Sequence, residues 1–358
     1  MPLSISFNIR KIEGPYGGGN AFVNYLQAYL ENRGHKVCRH LEPGLDLILV
    51  VSASPNPATT SYRLGEILEY RRLHPGVALM HRVNMSDEAR GVEMGLNKAI
   101  LSIAEAADHV VFVSEFIKRH FQSHGLDPLR PGTIIKTGAD ERIFHAEGGE
   151  QWSPEQPMKL ITHHWSAGLL KGSDIYLRLD EMLSKPPYAG RFEFTYVGNL
   201  PFGMSLCNSR HVKTVHPKDV GGLLRSHHAY VSAARFEAAG NHFIEAVQCG
   251  LPIAYLNSGS LPEYCAACGV EFTLDSFPGA LEALRENYAD LRAKALARPY
   301  PAGLMAERYE ALMLEVVESR RRLPFAPPSL ATRAGLLAKS LRRQANRARR
   351  IVCKRICG

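Results

Sequence analysis

The stretch that decides the fold is residues 229–250, "AYVSAARFEAAGNHFIEAVQCG". It opens with an apolar, strand-like run, passes through a polar segment that contains glycine, and continues in a helical pattern. Strands followed by helices in this way predict a parallel sheet whose two faces are covered. Ligands bind such sheets beyond the carboxyl ends of the strands. Glu237 in the loop and Glu245 in the helix are therefore predicted to lie at a ligand-binding edge.

The same alternation extends in both directions along the chain. Strand-like runs such as "SISFNI", "LDLILVV", "HVVFVS" and "FEFTYVG" are separated by amphipathic helical patterns. A polar break at residues 145–158, "HAEGGEQWSPEQPM", divides them into two series. We predict an α/β protein with two doubly wound, Rossmann-like domains facing each other across a cleft. The predicted domains are residues 1–150 and 157–318, and a basic tail follows at 319–358.

Composition places the chain among ordinary globular proteins. Of its 358 residues, 45% are hydrophobic and 22% are charged. Its seven cysteines are odd in number and scattered, which favours a reducing compartment over a disulfide framework. The apolar runs are much shorter than the roughly 20 residues needed to span a bilayer, and the amino terminus lacks the pattern of a signal peptide. A cytoplasmic location is therefore expected.

The net charge of +8 resides in the carboxyl-terminal tail. Residues 333–358 contain nine Lys and Arg and no acid, so the preceding residues carry a net charge of about −1. No specific nucleic-acid partner is therefore expected for the body of the protein. On a helical projection of the tail, one sector is mostly apolar: Leu337, Leu341, Ala345, Ala348, Ile351, Val352 and Ile356. A basic amphipathic helix predicts peripheral binding to an anionic membrane; a solvated basic tail is the alternative.

Several motifs together resemble one family. The spacing of Glu237 and Glu245 resembles the Glu-x7-Glu signature of retaining GT-B glycosyltransferases, particularly glycosyltransferase family 4. "GLPIAYLNSGSLPE" at 250–263 is similar to that family's Gly-x-Pro strand and Gly-x-x-x-Glu loop. Further similar segments, in the family's order, are "GGGN" at 17–20, "IIKTGADERIF" at 134–144 and "THHWSAGLLKG" at 162–172. The resemblance covers roughly residues 1–315.

The resemblance implies transfer of a sugar from a nucleotide-diphosphate donor to a hydroxyl acceptor, with retention at the anomeric carbon. It suggests a role in assembling cell-surface polysaccharide or glycolipid, with a glycan or lipid-linked acceptor. Ser166 stands where the family usually has an arginine, and Thr137 where it usually has an asparagine. Two alternatives remain open: a noncatalytic nucleotide-sugar-binding module, and a nucleotide-sugar epimerase or hydrolase on the same architecture.

The resemblance also implies roles for individual residues. Glu237 would face the donor sugar, Lys171 would hold the diphosphate leaving group, and His81 would touch the sugar or the acceptor; these are the predicted catalytic residues. Glu245 would accept hydrogen bonds from the ribose hydroxyls. The full predicted donor-binding set is Gly17, Gly18, Gly19, Ser166, Lys171, Glu237, Ala238, Ala239, Gly240, Asn241 and Glu245. The predicted acceptor- or sugar-binding set is His81, Arg82 and Asn84.

No metal site and no cofactor other than the nucleotide sugar are predicted. The chain has fifteen histidines, but no pair has convincing ligand spacing with a third partner nearby in the sequence. Diphosphate departure in the resembled family typically needs no metal. Contacts to the nucleotide base are expected from the loops near 198–201 and 216–220.

Overall fold

The computed structural model describes residues 1–11 and 18–324. Gly17 and the predicted membrane-binding segment, residues 333–358, lie outside the described residues. The structure contains two six-stranded parallel sheets, and each sheet packs a hydrophobic core on both of its faces. The predicted fold class, two doubly wound α/β domains, is confirmed. In the described part of the chain, no helix is both long enough and apolar enough to cross a bilayer.

The first sheet has the strand order β2-β1-β3-β4-β5-β6. Its strands are β1 Ser4–Phe7, β2 Lys36–Cys38, β3 Leu47–Val50, β4 Ala78–Val83, β5 His109–Phe112 and β6 Gly132–Ile134. Its helices are α1 Gly18–Asn32, α2 Leu64–Leu73, α3 Leu96–Ala106 and α4 Glu115–Ser123. The strand order reverses between β1 and β3, and the crevice at such a switch point is where ligands bind.

The second sheet has the order β12-β11-β10-β7-β8-β9, with its switch point between β7 and β10. Its strands are β7 Met158–His164, β8 Phe192–Gly198, β9 Arg210–Val212, β10 Ala229–Ser232, β11 Ile253–Leu256 and β12 Gly269–Phe272. The remaining helices are α5 Ser173–Met182, α6 Pro217–Arg225, α7 Asn241–Gln248, α8 Leu261–Cys265, α9 Phe277–Glu286, α10 Tyr288–Ala297 and α11 Ala302–Arg321.

Strand β3 shows why its continuous apolar sequence forms a central strand. All four of its residues are fully buried. Leu47 and Leu49 pack into the core on one face of the sheet, whereas Ile48 and Val50 pack into the core on the other face. Because successive side chains point to opposite faces, a strand covered on both sides needs apolar residues at every position.

The last helix, α11, belongs to the core of the first domain. Its buried residues, among them Met305 and Met313, pack in the same cluster as the residues of β1 and α1. The rings of Phe22 and Tyr309 lie 5.1 Å apart between centroids. The structure therefore differs from the predicted division at residue 318, since the chain returns to the first domain from residue 302. Helical periodicity alone does not indicate which domain a helix covers.

Polar contacts join the two domains beside the cleft. The Ser114 hydroxyl of the first domain donates to the Ala238 carbonyl of the second domain at 2.6 Å. The Glu263 carboxylate accepts a hydrogen bond from the Glu115 backbone N–H at 2.8 Å, so it satisfies an amide at the N-terminus of α4. Glu263 is the acid of the loop in which the Gly-x-x-x-Glu similarity was noted, and here it connects the domains.

Candidate functional site

A cavity of about 510 Å³ lies between the domains, at the carboxyl ends of β7 and β8. This volume is within the range of small-molecule sites. Its wall includes, from the first domain, Gly18, Gly19, Asn20, Arg82, Asn84 and Met85. From the second domain it includes His163, His164, Trp165, Ser166, Lys171, Glu237, Ala239, Gly240, Asn241, His242 and Glu245. Residues separated by more than 200 positions therefore meet in one chamber.

The loop after β10 holds Glu237 at the cavity. Phe236, the residue before it, adopts a left-handed backbone with φ 55°, a conformation that is costly for a residue with a side chain. The neighbouring loop holds this turn in place: the Ser258 hydroxyl accepts from the Phe236 N–H at 3.2 Å, and the Ser260 N–H donates to the Glu237 carbonyl at 2.8 Å. The backbone of Glu237 is thus held at the edge of the cavity.

Lys171 lies at the end of a 3₁₀ turn, Leu169–Lys171, just before α5. Gly172 follows with φ +88°, and a Cβ there would approach Ala233 to 2.4 Å, so only glycine fits. This close approach brings the turn after β7 against the loop after β10. The Lys171 ammonium consequently forms an ion pair with the Glu237 carboxylate, and both side chains are largely buried.

Glu245 projects from α7 and forms a pair with a histidine. Its Oε2 lies 2.8 Å from Nε2 of His163, the penultimate residue of β7. Since a carboxylate can only accept, Nε2 of His163 carries the hydrogen. The two side chains are only 11% and 17% exposed. His163 therefore fixes one oxygen of the carboxylate and leaves the other available to a ligand's hydroxyl groups.

The N-termini of two helices meet across the cavity. Gly18 begins α1 and Asn241 begins α7. A Cβ on Gly18 would lie 2.9 Å from the Asn241 side-chain oxygen, so the absence of a side chain permits this close approach. The first amides of each helix lack intrahelical acceptors and carry the positive end of the helix dipole. Their convergence makes this end of the cavity suited to anions.

Two further imidazoles, His164 and His242, line the cavity beside Lys171. Both residues are buried, and their ring centroids are 4.6 Å apart. Burial lowers the pKa of each well below its usual value of 6.5, and the nearby Lys171 charge lowers it further. Both rings are therefore neutral at physiological pH, and each carries a single N–H donor.

Arg82 supplies a buried cation from the first domain. Its guanidinium lies over the Phe22 ring at 4.0 Å, and Nη2 is 3.3 Å from the Thr137 hydroxyl. Thr137 occupies the position where asparagine is usual in the resembled family. Both Arg82 and Asn84 contribute to the cavity wall.

Two of the predicted site residues do not line the cavity. His81 lies inside β4 and is buried, with Nδ1 3.2 Å from the Val50 carbonyl. The strand continues two residues beyond it, which carries Arg82 and Asn84, but not His81, to the cavity. Ala238 is likewise buried, and its carbonyl accepts the hydrogen bond from Ser114. Their predicted contacts with donor or acceptor have no support in this geometry.

The remaining predicted residues within the described part of the chain do line the cavity. Ser166 also accepts a hydrogen bond from the Gly168 N–H at 3.2 Å, as in an ordinary turn. Sequence reasoning assigned no role to His163, His164 or His242. Their signal was present in the consecutive histidines at the end of β7 and in the histidine between the two glutamates, but only the fold shows that they meet.

The architecture and the cavity at its two switch points together have the form of the GT-B fold. Solved GT-B glycosyltransferases superpose on this chain, and the predicted resemblance is confirmed at the level of structure. No family model matches the sequence, and no curated protein matches it. The similarity is therefore visible in the fold and not in overall sequence.

Three solved structures illustrate the similarity. The Anabaena protein HepE in complex with UDP and glucose has a TM-score of 0.63 and 13% sequence identity, over 88% of this chain and 100% of that chain. Sucrose-phosphate synthase from Thermosynechococcus elongatus has a TM-score of 0.61 and 14% identity, over 88% and 100%. A glycosyltransferase from Rickettsia africae has a TM-score of 0.61 and 14% identity, over 88% of this chain and 99% of that chain.

Proposed function

We propose that this protein is a glycosyltransferase that moves a sugar from a nucleotide-diphosphate donor to a hydroxyl acceptor, with retention at the anomeric carbon. The observation that carries the proposal is the meeting of Lys171, Glu237 and Glu245 in one interdomain cavity, beside the N-terminus of α7. A cation and free amides suit a diphosphate. A carboxylate with one available oxygen suits the ribose hydroxyls, and the second carboxylate suits the sugar.

The reaction follows from what the cavity offers. The acceptor oxygen attacks the anomeric carbon while the bond from that carbon to the phosphate oxygen breaks, and the departing phosphate takes the acceptor's proton. Lys171 and the helix amides stabilise the negative charge that develops on the leaving group. The carboxylates in the described part of the wall, Glu237 and Glu245, are both engaged, by Lys171 and His163. This favours a mechanism driven by the leaving group over one with a carboxylate nucleophile.

The resembled family usually has an arginine at the position of Ser166. In its place, His164 and His242 would contact the diphosphate from the cavity wall. The Tyr176 hydroxyl oxygen accepts from the Ala233 N–H at 3.1 Å and from the Thr162 hydroxyl at 3.2 Å, and it lies 2.8 Å from Nε2 of His164. Its hydrogen is then directed at Nε2, which leaves the hydrogen of the neutral ring on Nδ1. That N–H would be a donor to the diphosphate, without the desolvation cost of a second buried cation.

The donor is best sought among UDP-sugars, because the structurally similar HepE has been solved with UDP and with UDP-glucose. The full chain would be incubated with a panel of nucleotide sugars, with and without a lipid extract. Product that contains the sugar on an acceptor supports transfer. Slow hydrolysis or epimerisation alone would favour the epimerase or hydrolase alternative, and a rise in melting temperature without any turnover would favour a noncatalytic binding module.

Glu245→Gln is expected to weaken nucleotide-sugar binding by about 1–3 kcal/mol, which is typical of a hydrogen bond to a charged group. Its effect on turnover at saturating donor should be smaller, because the ribose is remote from the reacting carbon. Isothermal titration with UDP and with uridine measures the change, and Glu181→Gln on the exposed surface of α5 is the matched control. Equal affinities for all three proteins would remove Glu245 from the nucleoside site.

We further propose that the acceptor is a glycan or lipid-linked molecule in polysaccharide or glycolipid assembly, and that residues 333–358 attach the protein reversibly to the inner face of the membrane. Deleting these residues should abolish salt-sensitive sedimentation with anionic vesicles, because each basic residue contributes about 1 kcal/mol near such a surface before screening. UDP-induced stabilisation should survive the deletion. If the truncated protein still sediments with the vesicles, membrane contact lies elsewhere.

A further inference from the structure

A cluster of two histidines and a glutamate lies on the first domain, outside the cavity wall. Glu88 is in the 3₁₀ turn that follows β4. His120 is on α4, and His124 caps the end of that helix one turn later. Their ligand atoms all lie within 4.8 Å of one another. The proposed glycosyl transfer uses none of these three side chains.

The distances match the coordination shell of a small cation. Nε2 of His120 lies 3.1 Å from Oε2 of Glu88, and Nε2 of His124 lies 3.6 Å from Oε1. Tetrahedral ligands at the metal–ligand distances of zinc are separated by about 3.4 Å. The two imidazoles face the same carboxylate because residues four apart share one side of a helix, and their ring centroids are 4.3 Å apart.

The Nε2 atoms of both imidazoles face the Glu88 carboxylate. Nδ1 of His124 lies 2.7 Å from the His120 carbonyl, which can only accept, so Nδ1 carries a hydrogen. Nε2 of His124 is the ring nitrogen that remains to face the Glu88 carboxylate. Nε2 of His120 is buried, and its contact with Oε2 of Glu88 at 3.1 Å does not have the geometry of a hydrogen bond. Both Nε2 atoms therefore lie beside the same carboxylate, where one ion could bind all three groups.

The outer contacts have the pattern found around protein-bound metals. Ligating histidines usually donate their second N–H to a carbonyl, and ligating carboxylates are themselves hydrogen-bonded. His124 meets the first condition. Glu88 meets the second, since the Asn97 side-chain amide donates to both of its oxygens, at 3.0 and 3.1 Å.

We propose that Glu88, His120 and His124 bind a divalent first-row transition ion, with Zn²⁺ as the expected occupant. Two imidazole nitrogens and one carboxylate oxygen suit Zn²⁺, whereas Mg²⁺ and Ca²⁺ prefer shells of oxygen. Water would complete the tetrahedron. The sequence predicted no metal because no third ligand stands near a histidine pair along the chain; folding brings Glu88 to His120 from 32 positions away.

The ion would stabilise the cavity wall of the first domain. It would tie the turn after β4 to α4, and the residues just before that turn, Asn84 and Met85, belong to the wall. The proposal does not depend on glycosyl transfer, because metal binding can be measured without any sugar donor.

The test uses the full chain, stripped with a chelator and titrated with Zn²⁺ against a competing chromophoric chelator. The wild type should bind one tight ion, and Co²⁺ in its place should give the intense visible absorption of a four-coordinate centre. His124→Ala and Glu88→Gln should each weaken Zn²⁺ binding by more than about tenfold, since even outer-contact changes cost about 10- to 100-fold. His109→Ala, which removes another histidine of the same domain, should leave the affinity unchanged.

His124 is 41% exposed in its side chain, so its alanine variant should fold, and circular dichroism checks this. Zn²⁺ affinity that is the same in wild type, His124→Ala and Glu88→Gln would overturn the proposal. It would also be overturned if the tight ion were lost only on replacing Cys38 in the separate Cys38, His40 and Glu42 group.

Discussion

Lys171→Ala is expected to lower the turnover of nucleotide sugar by about 100-fold or more, the usual cost of removing one donor to a developing oxyanion. The Lys171 side chain lines the interdomain cavity, is 26% exposed and pairs with Glu237. In the alanine variant, only the helix amides and the imidazoles of His164 and His242 would remain to stabilise the negative charge on the leaving group. Steady-state kinetics with saturating donor measure the loss directly.

Binding measurements separate a role in phosphate recognition from a structural one. The variant should lose affinity for UDP but keep its affinity for uridine, because the nucleoside has no phosphate for Lys171 to contact. Lys185→Ala, which changes an exposed lysine beyond α5, is the matched control and should be indistinguishable from wild type. If the variant lost affinity for uridine and for UDP equally, Lys171 would hold the loop in place and would not contact the leaving group.

The architecture could be predicted from the sequence because each local pattern agrees with the whole fold. The opening stretch is observed as β10 Ala229–Ser232, a loop and α7 Asn241–Gln248, as its apolar and polar pattern indicated. Gly34 follows α1 with φ +88°, the left-handed conformation in which glycine commonly ends a helix. The spacing of apolar residues in strands and helices is a local property of the sequence, so it can be recognised without knowledge of tertiary contacts.

The partners of the charged side chains could not be predicted in the same way. Glu237 pairs with Lys171 across 66 positions, and Glu245 pairs with His163 across 82. Each of these pairs depends on the adjacency of β7 and β10, and that adjacency is a property of sheet order. The place of His81 could not be predicted either: β4 extends to Val83, so His81 lies within the sheet and not at the cleft, and strand ends are the least reliable part of a prediction from sequence.

Glu237→Gln is expected to lower turnover about 10- to 100-fold, in line with the loss of a hydrogen bond to a charged group, without weakening the binding of UDP. In the structure the Glu237 carboxylate neutralises Lys171, so a bound diphosphate must compete with it for the ammonium. Glutamine is nearly isosteric and removes that competition. Affinity for UDP should therefore stay the same or rise, whereas the contact to the donor sugar is weakened and kcat falls.

This pattern is the opposite of the one expected for Glu245→Gln, which should lose nucleotide affinity with a smaller change in kcat. The two carboxylates stand eight positions apart, one in the loop and one in the helix, so the same chemical change at each tests a division of labour between sugar and ribose. Titration with UDP and steady-state kinetics on both variants give the comparison. If Glu237→Gln weakened UDP binding as much as it slowed turnover, its carboxylate would serve to position Lys171 for the diphosphate and would have no direct contact with the sugar.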